Sequence, residues 1–453
     1  MAGHGGFTSR RAGVFLPVSA LPGNGGIGAL GPASRQFIDW LVSAGQTYWQ
    51  ILPLSIPDQH GSPYASRSSL AYNWLLVSPE DLRRQKWIRS LPVQPTRRRI
   101  DYHRVIPETW RVIRAAYDQF NQFATPTEHE QWNTFRRNEA WWLADYTLYQ
   151  ALKDRNRQRP WWRWPRDLHT PIGARQHLDA RLRRQMDLHA FAQWLVAEQW
   201  QALRQYAKQR RIAIVGDLPF YVQEDSVDVW ANRALFHVDI LGRPREVAGV
   251  PPDYFNPRGQ RWGNPVYRWT AHQRQQFRWW RQRFIVHAQR FDVLRFDHFQ
   301  GLGETYHVKA SAPDGRHGWW VPTPGHELLR LLRRAWPAFH VVAEDMGNVM
   351  PDAEHIRRVY NLPGIRMLIF GWSGLPQNIH HPDFIRPDCF YYSSAHDTNT
   401  LQGWWQDEAR WYEKKHWREY HLVETGPVHW RGIEIVYCST ARVAMAAMQD
   451  VLG

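Results

Sequence analysis

The order of apolar segments predicts a (β/α)8 barrel with inserted helical and loop-rich subdomains, and three observations carry that prediction. Eight short apolar runs recur along the 453 residues, most of them separated by stretches of helical period. Four of the runs stop at a carboxylate, Asp217, Asp297, Glu344 and Asp397. In a closed parallel barrel the functional side chains stand at the C-terminal strand ends, so these four acids converge on one mouth. A chain of 453 residues also suits a single barrel with insertions.

The first run is Val14-Phe15-Leu16-Pro17. Gly26, Gly28 and Gly31 formally match a dinucleotide fingerprint, but Pro17 and Pro22 interrupt the strand that such a site needs. The stretch reads instead as a turn before a helix from Ala33 to Ala44, with Phe37, Trp40 and Leu41 on one face. Gly45 closes that helix and Tyr48 to Leu54 forms the second strand. A short extended piece near Trp74 to Val77 is not counted as a barrel strand.

Residues 80–185 break the alternation and read as an inserted helical subdomain, with helical patches such as Glu130 to Lys153 and the Pro/Trp loop Arg159 to Pro165. A helix from Asp187 to Arg210 then puts Leu188, Phe191, Leu195 and Leu203 on its inner face, and Ile212 to Pro219 is the third strand. Residues 221–270 read as a loop-rich insertion at the mouth. After a helix from Ala271 to His287, the run Phe291 to Gly301 supplies the fourth strand and the cluster Arg295, Asp297 and His298. His340 to Asp345, Ile365 to Phe370, Phe390 to Asp397 and Ala441 to Val451 complete the eight.

Composition narrows the function. An apolar fraction of 43% is that of a folded protein, and 27 Trp suit a ligand with flat apolar faces as well as packing. The formal charge of +15 raises a polyanion partner, but the Arg residues are scattered and no nucleic-acid motif accompanies them, so a solvated surface is expected and no nucleic acid. Two isolated Cys make no disulfide framework, the N-terminus lacks a signal-peptide core, and no run of about eighteen apolar residues exists to span a membrane. A cytoplasmic protein is expected; its oligomeric state is not legible.

Two carboxylates flanking a bond are what glycoside cleavage requires, one attacking or steadying the sugar carbon and the other carrying the proton. Clustered acids with His can also hold a divalent ion. Here no HExxH spacing is present, and an Arg two residues before Asp297 repels a cation, so sugar chemistry is favoured and neither metal nor cofactor is expected.

The residues also resemble the amylomaltases, a 4-α-glucanotransferase family related to the α-amylases, along nearly the whole chain. The resemblance rests on Gly216 to Pro219, Asp228 to Asn232, Val247 to Phe255, Gly259 to Pro265, Arg295 to Phe299, Ala343 to Gly347 and His396-Asp397, with Tyr48 to Leu54 and Ser62 to Tyr64 in support. It implies transfer of α-1,4-glucan segments from maltooligosaccharides by a retaining double displacement. Asp297 would be the nucleophile, Glu344 the acid/base, and Asp397 the grip on the distorted ring. Arg295 would orient Asp297 and keep it ionised; His298, His396 and Asp217 would hold the same sugar. Ser62, Tyr64, Tyr254, Phe255, Trp262, Gly263 and Asn264 would line the glucan path and keep water from the ester. A retaining α-glucoside hydrolase shares the first half-reaction, and the loop from Tyr254 to Pro265 tips the expectation to transfer.

Departures from the family pattern are Asn399 where Asp is usual, Gln300 for Arg and Ala29 for Asp. Family members also continue past the segment matching Met448 to Gly453, so a barrel lacking a final helix, binding glucan with little turnover, is the third expectation.

Overall fold

Eight parallel strands close into a barrel in the computed structural model, which describes residues 9–58, 60–92, 99–252, 256–338, 340–346, 350–420 and 426–453. In chain order the strands are β1 (Arg11–Phe15), β2 (Tyr48–Gln50), β3 (Ala213–Leu218), β4 (Glu246–Val250), β5 (Gln260–Pro265), β6 (Val293–Phe296), β7 (Glu304–Lys309), β8 (Gly318–Pro322), β9 (Val341–Ala343), β10 (Gly364–Met367), β11 (Cys389–Tyr392) and β12 (Val443–Ala447). The barrel runs β1, β2, β3, β6, β9, β10, β11, β12 and back to β1, every pairing parallel. Each of the eight expected apolar runs overlaps one of these barrel strands. The third shows why: Ile214, Val215 and Leu218 are buried, as a strand covered on both faces demands. Gly216 is required between them, because a Cβ there would lie 2.2 Å from the Phe291 ring.

Local chemistry moves several boundaries. The helix expected from Glu130 begins earlier and spans Pro126–Arg155, because Thr125 and Glu128 form a capping box with Pro126 in the first turn. Likewise the long helix is Ala180–Gln209, capped by Asp179 on the Leu182 amide at 2.6 Å, and its expected inner-face residues are buried. The helix expected from Ala271 to His287 is two, Trp269–Arg274 and Arg278–Arg290. Gln276 and Phe277 have φ of 48° and 53° between them, and Phe277 is wholly buried. In the first helix, Pro32–Ser43, the buried apolar face is Phe37, Ile38 and Leu41; Trp40 lies beside it, 37% exposed and stacked on Phe37. The piece near Trp74 is a 3₁₀ turn, Trp74–Leu76, capped by Asn73. The run from Ile365 leaves the barrel after Met367 as a second 3₁₀ turn, and that from Ala441 passes from β12 into the helix Met448–Leu452.

Among the described residues, 80–185 contains no strand; its helices Tyr102–Phe123 and Pro126–Arg155 pack on Ala180–Gln209. The Pro/Trp loop folds inward, with Trp161 and Trp164 buried and the Trp161 indole donating to the Glu224 carbonyl. Residues 221–270 are more ordered than a loop-rich reading suggests. They supply β4 and β5 to a four-stranded antiparallel sheet, order β5-β4-β7-β8, which β7 and β8 complete from beyond residue 300. No helix among the described residues is long and apolar enough to cross a membrane.

Candidate active site

Parallel register builds the floor of the barrel mouth. Across β3 and β6, Asp217 is opposite Arg295, and across β6 and β9 Phe296 is opposite Ala343. The residues just past these two strand ends, Asp297 and Glu344, therefore emerge side by side; their amides close the ladders onto the Leu218 and Phe296 carbonyls at 3.1 Å each. Asp345 faces away. It binds the Ile365 amide and the Arg366 guanidinium, each at 2.8 Å, which leaves Glu344 as the acid directed into the mouth.

Arg295, 2% exposed, is the hub. Its Nη1 donates to Asp217 Oδ2 at 2.8 Å and to Asp297 Oδ1 at 2.7 Å, and its Nη2 is 3.6 Å from Asp397 Oδ2. Such charge-assisted bonds offset the cost of burying the guanidinium and fix the Asp297 carboxylate. Tyr64 donates its hydroxyl to Asp217 Oδ2 at 2.6 Å, and His396 Nε2 lies 2.8 Å from the same hydroxyl with the two rings stacked. Burial and the adjacent Arg295 push His396 down to about 3, so it is a neutral imidazole.

Glu344 has different partners. It accepts from the backbone amide of His298 at 2.8 Å and from that of Met346 at 3.3 Å. His298 reaches that position in a left-handed conformation, φ 49°, at the turn leaving β6. Burial pushes the Glu344 carboxyl up to about 7, with Arg295 opposing and the negative Asp297 reinforcing the rise. Burial also pushes His298 down to about 4.

These groups open into a cleft of about 750 Å³. Of the expected residues, Ser62, Tyr64, Trp262, Asn264, Asp297, His298, Glu344 and Asp397 line it. Asp217, Arg295 and His396 stand behind that lining, and Asp217 is 1% exposed with one oxygen shared by Tyr64 and Arg295. Asp217 was expected to hold the sugar; here its carboxylate accepts from Arg295 and Tyr64 and braces both. Gly263 does not line the cleft either. With φ 85° it sits where the β4–β5 register shifts, and the bulge turns Trp262 and Asn264 toward the mouth. Trp262 meets His298 edge-on at 4.9 Å, and Asn264 donates to the Val222 carbonyl at 2.9 Å. Tyr254 and Phe255 lie outside the described residues.

Sequence reasoning missed Tyr221, Gln223 and Trp320, which also line the cleft. Tyr221 and Gln223 follow β3 within five residues of its end, where a barrel places function, and that was the available signal. Trp320 comes from β8, whose pairing partner β7 was not anticipated. Two carboxylates with unlike surroundings, an aromatic wall and a polar rim suit a neutral polyhydroxylated ligand.

Comparison with known proteins agrees with this chemistry. Residues 16–453 match the family model described as 4-alpha-glucanotransferase. The chain is 37% identical to a 4-alpha-glucanotransferase of Thermus thermophilus, over 98% of this chain and 90% of that protein. It is 36% identical to one of Synechocystis sp., with the same coverage of 98% and 90%. Among solved structures it is similar to an amylomaltase of Streptococcus agalactiae in complex with acarbose, with TM-score 0.91 and 28% identity over 98% of this chain and 90% of that one.

Proposed function

The chain belongs to the 4-alpha-glucanotransferase family, and on that premise we propose that it moves α-1,4-glucan segments from maltooligosaccharide donors to acceptor sugars by a retaining double displacement. Asp297 attacks the anomeric carbon as the glycosidic bond breaks, and Glu344 gives its proton to the departing oxygen. The product of this half-reaction is a glycosyl ester on Asp297. Glu344, now a carboxylate, takes the proton of an incoming sugar hydroxyl, which displaces Asp297 and restores the starting state. Asp397 and His298 grip the reacting ring, Arg295 aims Asp297, and Tyr64 and Trp262 offer planes to the sugar faces; Tyr254 and Phe255 are assigned to the same path.

The observation that carries this reading is the unequal treatment of two neighbouring acids. Asp297 is fastened to Arg295, while among the described residues Glu344 accepts hydrogen bonds from backbone amides alone and is pushed up to about 7, the division of labour between nucleophile and proton carrier. The wall formed by Trp262 and Trp320 supports transfer over hydrolysis, because it screens the ester from bulk water.

Incubation with maltotriose tests the proposal. Glucose together with maltooligosaccharides longer than the substrate is the expected product pattern, and Asp297→Asn should abolish it while keeping the native circular-dichroism spectrum. Shorter sugars without longer ones would instead make the enzyme a retaining α-glucoside hydrolase. Full transfer by Asp297→Asn would put the nucleophile elsewhere.

A further inference from the structure

We propose that Asp450, in the last described helix, is a positioning residue that holds the loop bearing His396 and Asp397 against Arg295, and so sets the grip on the reacting sugar; this rests on the roles assigned above. Asp450 is wholly buried, and among the described residues no Lys, Arg or His side chain pairs with its carboxylate. Its charge is met by three donors instead. Oδ2 accepts from the hydroxyls of Ser393 and Ser394 at 2.6 Å each, and Oδ1 accepts from the Leu401 amide at 2.7 Å.

The placing of those donors gives the contact its meaning. Ser393 and Ser394 are the first residues after β11, and Leu401 opens the helical turn Leu401–Gly403 that ends the loop. One carboxylate therefore fastens both ends of the segment 393–401. Between them the Thr398 hydroxyl accepts from the Ala395 amide at 3.0 Å and closes a turn with His396 and Asp397 inside it. At the tip, Asp397 Oδ2 lies 3.1 Å from His396 Nε2 and 3.6 Å from Arg295 Nη2, so a displaced loop base would carry the His396–Asp397 pair away from Arg295.

Fixing this loop to the barrel does not in itself need a charge, since apolar packing would do so without the cost of burying a carboxylate. Spanning two loop ends with one side chain does need a group with two acceptor oxygens. Asp450→Asn keeps the shape but offers a single oxygen, so either the serine hydroxyls or the Leu401 amide loses its acceptor.

The experiment compares Asp450→Asn, Ser394→Ala, Asp397→Asn and the double variant Asp397→Asn/Asp450→Asn, using acarbose binding by calorimetry, maltotriose kinetics and thermal unfolding. Asp450→Asn is expected to weaken acarbose about tenfold and to lower kcat more than it changes KM. Ser394→Ala should do so to a smaller extent. In the Asp397→Asn background the Asp450 change should add little further loss of acarbose affinity, because both act through one group. Additive losses overturn the proposal. So do variants that lower only the unfolding temperature while binding acarbose and turning over maltotriose normally. If Asp450→Asn does not fold, Ser394→Ala decides by the same readouts. Normal binding and turnover by Asp397→Asn would overturn the underlying assignment of Asp397, an outcome distinct from failure of Asp450 alone.

Discussion

Asp297 and Glu344 leave neighbouring strands at the same height, yet their surroundings make them different acids. Glu344, pushed up to about 7 by burial, carries its proton below that pH and loses it above. In the proposed mechanism the first half-reaction uses the protonated form, so kcat/KM for maltotriose should fall as pH rises through about 7. Glu344→Gln has no proton to lose, and should remove this alkaline limb together with about 10²–10⁴-fold of the rate. A limb that persists unchanged in Glu344→Gln belongs to another group. The acids were legible in the sequence because charges at the ends of apolar runs are anomalous. That Asp217 braces Arg295 from behind was not legible, since burial depth at a strand end depends on what packs above it.

At the scale of elements, periodicity served the barrel well and the antiparallel sheet poorly. Barrel strands are buried on both faces and announce themselves as apolar runs. β7 buries the partly polar run Thr305 to Val308 and β8 has no buried residue, and β7 pairs with β4 across more than fifty residues, a partnership that no local pattern displays. Close packing around β3 yields a prediction at this scale. Gly216→Ala sets a Cβ against the Phe291 ring and should destabilise the protein by about 1–3 kcal/mol, read as a lower urea midpoint. An unchanged midpoint would mean that the ring moves aside without cost. Helix interruption at Gln276 and Phe277 belongs to the same scale: a helical pattern continued through them, and the burial of Phe277 selected the left-handed break.

For the molecule as a whole, the formal charge of +15 and the chemistry occupy separate places. Many arginines pair with acids on the surface, as Arg137 does with Glu130 and Arg155 with Asp179, whereas the arginine of the site is 2% exposed. Maltotriose is uncharged, so surface fields have nothing to steer. Raising salt from about 0.05 to about 0.3 M should change kcat/KM by less than about twofold, because screening acts on exposed charges and hardly on buried pairs. A steep salt dependence would show the surface field reaching the site.

The sequence by itself determined the eight-stranded barrel, the family resemblance and the residues proposed to carry the chemistry, because burial patterns and misplaced charges are local and survive as order and spacing along the chain. Tertiary structure alone decided which of these residues line the cleft and which stand behind that lining, and it alone brought Trp320 to the cleft wall and Asp450 beneath the His396–Asp397 loop. Those are contacts between segments far apart in the chain, and their chemistry becomes visible only when barrel closure brings the segments together.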